Sequence, residues 1–198
     1  MKLFISPASP YARKVRVLIR EKGATSLVTE ELASPLADPQ ELHAANPLGK
    51  VPALILRDGT AVFDSPVICD YLNVTLEGPD LIPTAHHERW RAMRLEAIGD
   101  GICDAAVSMV FERTRPEGEK SGMWMDRWRR AITRALDLLE TEEASLEAPL
   151  DVGGIAVACA LSYLDLRHAD MNWREGRPKL AARFAEIIAR PSFADTAA

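Results

Sequence analysis

The stretch NPLGKVPALILRDGTAVFDSPVICDYL, residues 46–72, holds two apolar runs, Ala53 to Leu56 and Ala61 to Phe63, parted by Arg57-Asp58-Gly59-Thr60. Asp-Gly between two such runs predicts a β-hairpin. Ser65-Pro66 follows, with a hydroxyl at the expected N-cap and proline at the first helical position. Ile68, Tyr71, Leu72, Thr75 and Leu76 then recur on one helical face.

Upstream, Lys2 to Ile5 reads as a short strand. Tyr11, Val15, Leu18, Ile19 and Lys22 have helical spacing, and Gly23 ends that helix. Ser26 to Leu32 is a second strand, and residues 38–45 a weak helix ended by Asn46-Pro47. A helix between the first two strands implies a parallel pair and the hairpin an antiparallel one. The expected fold is therefore an α/β, thioredoxin-like domain with a mixed four-stranded sheet and helices.

Downstream of Glu77-Gly78-Pro79-Asp80 the texture changes. Trp124, Trp128, Ile132, Ala135, Leu136 and Leu139 form one helical stripe, and Leu180, Phe184, Ile187 and Ile188 another. Between them Ile155 to Leu161 is apolar on every side, as in a helix at the centre of a bundle. Asp151 is placed to cap it, with Leu150 and Ile155 at the staple positions. The expected domains are 1–77, thioredoxin-like, and 87–198, an all-α helical bundle, joined by a linker at 78–86.

The net charge of -5 over 198 residues carries no basic stripe, which argues against a nucleic-acid partner. The longest apolar run is far too short to span a membrane. Cys69, Cys103 and Cys159 lack disulfide or metal-ligand spacing, so no metal is expected and the setting reads as reducing and cytoplasmic. Cys69 and Cys159 read as buried, and Cys103 is open because its helix borders the cleft between domains. His86 and His87 are helix neighbours that point apart. The four tryptophans read as core and interface residues.

Three short segments carry chemistry. Ser9, before Pro10 at a helix start, sits where free backbone N–H groups favour an anion. Redox domains of this architecture have cysteines there, but positions 9 and 12 are Ser9 and Ala12, so dithiol exchange is excluded. A serine hydroxyl can still donate to a ligand's thiolate and lower its pKa. Tyr11 is the rival hydroxyl, read as a wall of the cleft. Val51-Pro52, if cis, presents the Val51 backbone outward. Asp64 and Ser65 offer partners for an ammonium and a carboxylate. Each segment alone also reads as an ordinary cap or loop.

In this order, the serine-proline turn, NPLGKVPAL and FDSPVICDYL resemble the cytosolic glutathione S-transferase superfamily, closest to bacterial members with a serine-type active-site turn. LDVGGIAVACALSYLDLR (150–167) and RPSF (190–193) extend the resemblance over nearly the whole chain. It implies a glutathione transferase in which Ser9 is catalytic. Lys50, Val51, Pro52, Asp64 and Ser65, with Ser9, would bind glutathione as co-substrate, and Lys50 would meet the glycyl carboxylate. The electrophilic partner would be small and mostly apolar. A homodimer is implied, with Asp100 or Asp104 as an acid reaching the partner subunit's site. Detoxification, catabolism and stress response all remain open as roles. Two alternatives stand beside it, a glutathione-dependent peroxidase or reductase and a non-catalytic glutathione-binding interaction module. One departure concerns the buried helix, where Gly154 stands in place of a reciprocal aspartate. With Gly153 it predicts a loss of ~1–2 kcal/mol at that helix end.

Overall fold

The computed structural model describes residues 1–142 and 148–198. The chain runs β1 (Lys2–Ile5), α1 (Pro10–Glu21), β2 (Thr29–Leu32), α2 (Gln40–Ala45), β3 (Ala53–Ile55), β4 (Ala61–Val62) and α3 (Ser65–Thr75). The helical half follows as α4 (His86–Thr114), α5 (Gly122–Thr141), α6 (Val152–Arg167), α7 (Pro178–Ile188) and α8 (Pro191–Ala194).

The sheet has the order β2-β1-β3-β4, with β1 and β2 parallel and the other two pairs antiparallel. This is the mixed sheet expected. Strand alternation buries both faces of β1. Leu3 and Ile5 join the main core with Val15, Leu18, Ile68 and Leu72, while Phe4 packs with Leu42, Ala45, Val51 and Ala53. The main core continues without a break into the helical half through Ile102, Met109, Ile155 and Leu161.

Several boundaries moved, two of them with a clear local cause. The second strand starts at Thr29 rather than Ser26, because Thr25–Leu27 make a tight 3₁₀ turn. The third helix starts at Ser65, with Asp64 as N-cap: Asp64 is extended (φ -90°, ψ -159°) and its C=O accepts the Ile68 N–H at 2.9 Å.

The expected cost of Gly153 needs correction. A Cβ there would lie 2.5 Å from the Ala92 carbonyl oxygen and 2.5 Å from Leu95 Cβ. At Gly99 a Cβ would lie 2.6 Å from the Ala156 carbonyl carbon. These two glycines let α4 and α6 meet nearly backbone to backbone, so Gly153 secures the packing of the helix whose start it was expected to loosen. Asp151 caps α6 as read, taking the Gly154 N–H at 2.9 Å, and its other oxygen holds Arg91 at 2.5 Å. All three cysteines are buried, Cys103 included. Of the tryptophans only Trp173 is fully in the core. Trp90 and Trp124 are 56% and 44% exposed, so of the core and interface reading only the interface part is open to these two.

Candidate functional site

Sheet direction brings the three predicted segments to one end of the first domain. Phe4 near the end of β1 pairs with Ala53 at the start of β3, and Leu54 pairs with Val62 at the end of β4. Ser9 follows β1, Val51-Pro52 precedes β3, and Asp64-Ser65 follows β4, so all lie beyond the same edge of strand ends.

Ser9 is the N-cap of α1, and its Oγ accepts the Ala12 N–H at 3.2 Å. Its own O–H has no acceptor among the described residues, so the proton is free to point at a ligand. Pro10 sets the first helical φ, and the turn leaves the positive end of the helix dipole facing the same space.

The Val51–Pro52 bond is cis. Among the described residues neither the Val51 N–H nor its C=O has a hydrogen-bond partner. The loop before it is held by Asn46, 1% exposed, which donates to the Lys50 carbonyl at 2.9 Å and accepts from the Leu48 N–H at 3.0 Å. Gly49 turns that loop at φ +63°, a conformation side chains rarely adopt. Lys50 is exposed and without an ion-pair partner among the described residues.

At the third segment the plain capping reading fails. Asp64 occupies the N-cap yet makes no side-chain cap bond, and its carboxylate is exposed. Ser65 is buried at 2% exposure, and its hydroxyl has no hydrogen-bond partner among the described residues. With Pro66 donating nothing, the Ser65 and Val67 N–H groups at this helix end are also unpaired.

The structure ties the remaining candidates to α1. Tyr11 donates its phenolic proton to Asp104 at 2.5 Å, and burial, followed by that bond, pushes its pKa well above the tyrosine range. Both oxygens of Asp100 accept from Lys14, at 2.9 and 2.7 Å, and burial raises this carboxyl in spite of the lysine. Asp100 is thus occupied by Lys14, whereas Asp104 is exposed and retains acceptor capacity.

Sequence reasoning missed Lys14, which is 1% exposed and also bonds Glu96 at 2.9 Å, pinning α1 to α4. The signal was its place three residues after Tyr11 and four before Leu18, on the apolar face of α1. Among the described residues no group of His, Cys, Asp or Glu is assembled to hold a metal ion.

Comparison with known proteins bears on the family. Residues 8–75 match the glutathione S-transferase N-terminal domain model and residues 122–182 the C-terminal one. An uncharacterized GST-like protein of Escherichia coli K12, YibF, is 37% identical over 99% of this chain and 98% of its own. A glutathione transferase family member of Pseudomonas fluorescens Pf-5, solved with bound glutathione, is 45% identical with a TM-score of 0.95, covering 99% of this chain and 98% of that one. A Methylobacillus flagellatus glutathione S-transferase, also with glutathione bound, is 39% identical with a TM-score of 0.92, over 99% and 98% of the two chains. With matched models over both halves and relatives aligned end to end, the chain belongs to the glutathione S-transferase family.

Proposed function

We propose that this protein is a glutathione transferase that binds reduced glutathione along the strand ends and activates its thiol at Ser9. The observation that carries this reading is the unpaired N–H and C=O of Val51 between Ser9 and Asp64-Ser65. A peptide running antiparallel there gains two backbone hydrogen bonds, and no side chain of the described residues competes for them. The glutathione bound in the Pseudomonas fluorescens relative supports the choice of peptide.

In this reading Asp64 takes the γ-glutamyl ammonium, and Ser65 with the free N–H groups of α3 takes the neighbouring carboxylate. Lys50 is free to meet the glycyl carboxylate. Ser9 acts as a donor and not a base, because its own pKa is far too high to take a proton at neutral pH. One hydrogen bond to a charged acceptor is worth about 1.5–3 kcal/mol, enough to lower the thiol pKa by about one to two units. The thiol proton leaves to solvent. The thiolate then forms a carbon–sulfur bond to an apolar electrophile between the domains, either by addition, in which the acceptor's π bond opens and the resulting anion takes a proton from solvent, or by expelling a leaving group with its electron pair.

The domains in this proposal are 1–77 and 87–198, the site is cytoplasmic, and the working unit is a homodimer. Val67 and Val74 of α3, with Trp90 and Met93 of α4, supply an exposed apolar face for a second copy. The deciding experiment is calorimetric titration with reduced glutathione of the wild type and of Ser65→Ala, followed by product formation with an electrophile panel. Saturable binding weakened by the variant, with turnover, supports the transferase. Binding without turnover on any electrophile or peroxide selects the interaction module, and absence of binding at millimolar glutathione rejects the reading.

A further inference from the structure

The end of the first domain opposite Ser9 carries a second concavity. A cleft of about 390 Å³ opens between the start of β1, the β3–β4 turn and the last turn of α3. That volume lies within the few hundred to about 1,000 Å³ of small-molecule sites. Met1, Leu27, Leu56 and Leu76 supply an apolar wall, with Leu27 42% exposed, and Arg57, Asp58, Tyr71 and Thr75 complete it.

The polar groups of this wall sort into spent and free. The Thr75 hydroxyl donates to the Tyr71 carbonyl at 2.8 Å, and the terminal ammonium donates to the Leu27 carbonyl at 3.0 Å. Asp58, the one acid, accepts the Thr60 N–H at 2.9 Å through one carboxylate oxygen and keeps the other exposed. The Arg57 guanidinium and the Tyr71 phenol have no hydrogen-bond or ion-pair partner among the described residues. Beside the second oxygen of Asp58, the groups left unpaired are the Tyr71 phenol and a planar cation whose fork matches a carboxylate, with the terminal ammonium adding a second positive charge.

We propose that this cleft is a second ligand site, distinct from the strand-end site, which takes an amphipathic carboxylate: its head on Arg57 and Tyr71, its alkyl or aryl body against Leu27, Leu56 and Leu76. A neutral or cationic analogue of the same body leaves the guanidinium unmatched or meets it with like charge. The inference is independent of whether glutathione binds at Ser9.

The test is calorimetry with octanoate, octan-1-ol and octylammonium, each with and without millimolar glutathione, on wild type, Arg57→Gln and the cleft-filling Leu27→Trp. Circular dichroism checks that both variants are folded. The expected result is one octanoate per chain, undisturbed by glutathione, with the alcohol and the amine weaker by about tenfold or more. Arg57→Gln should weaken octanoate by a similar factor without altering octan-1-ol, and Leu27→Trp should weaken both. No saturable octanoate binding, equal affinity in Arg57→Gln, or displacement by glutathione each overturns the proposal.

Discussion

The phenol of Tyr11 gives its proton to the carboxylate of Asp104, a bond from the first turn of α1 to α4 across the two halves of the chain. This decides between the two hydroxyls at the head of α1. A phenol already donating inward, with its pKa raised by burial and that carboxylate, has no proton for a thiolate. Ser9 accepts from Ala12 and keeps its own proton free. In the proposed function, the hydroxyl left to lower the thiol pKa is therefore the serine.

Ser9→Ala should raise the pKa of bound glutathione by about one to two units and slow conjugation near neutral pH by roughly ten- to hundredfold. Tyr11→Phe should leave that pKa in place. Titration of the ultraviolet thiolate absorbance of the complex reads both. A shift in the tyrosine variant equal to that in the serine variant would reverse the assignment.

Gly153→Ala should destabilise the protein by about 1–3 kcal/mol or more, since its Cβ would meet the Ala92 carbonyl and Leu95 at 2.5 Å. Gly154→Ala, whose nearest contact is the flexible end of Leu150 at 3.2 Å, should cost less than about 1 kcal/mol. Denaturant midpoints at constant slope separate the two.

Lys14→Met leaves Glu96 and Asp100 as buried carboxylates without their cation, and should cost about 3–5 kcal/mol. Adding Glu96→Gln and Asp100→Asn removes the uncompensated charge and should recover a large part of that loss. Thermal unfolding of the single and triple variants tests the pairing. A triple variant no more stable than the single one would mean that packing, not charge, is what Lys14 supplies.

His168 is fully buried and its Nε2 bonds the Ala106 carbonyl at 2.9 Å, while Nδ1 has no partner among the described residues. Burial lowers its pKa below the ordinary 6.5, against a smaller opposing effect of the Ala106 bond. Below pH 6.5 the unfolded chain therefore binds a proton that the folded chain refuses. The contribution is present in full above that pH and is lost as pH falls toward the folded value. Stability measured from pH 8 downward should begin to fall near pH 6.5, and His168→Gln should flatten that part of the profile. Asp170 and Glu21, whose pKa values are lowered by Arg129 and Arg190, add to the loss only at more acid pH.

If the exposed face of α3 and α4 is the dimer contact, Trp90→Glu combined with Met93→Asp should yield a monomer in sedimentation velocity. A dimer that survives both charges would place the interface elsewhere.

Local chemistry in the sequence sufficed for much of this molecule. Asp58-Gly59 specifies the hairpin, Pro10 and Pro66 mark helix starts, and Asp151 marks the start of α6, because each acts on backbone within a few residues of itself. The serine turn, the Val51-Pro52 step and the Asp64-Ser65 pair were legible for the same reason: each is a short segment whose hydrogen-bonding groups are set by its own dihedrals. Their convergence followed from strand order and direction. What only tertiary structure decided depends on residues far apart in the chain. Gly153 reads as a weak point until Ala92 and Leu95 are seen against it. Lys14 stands on the apolar face of α1 with no partner in sight until Glu96 and Asp100 close over it. Tyr11 competes with Ser9 until Asp104, 93 residues away, takes its proton. Close packing and charge pairing are properties of the partner as much as of the residue, and the partner is chosen by the fold.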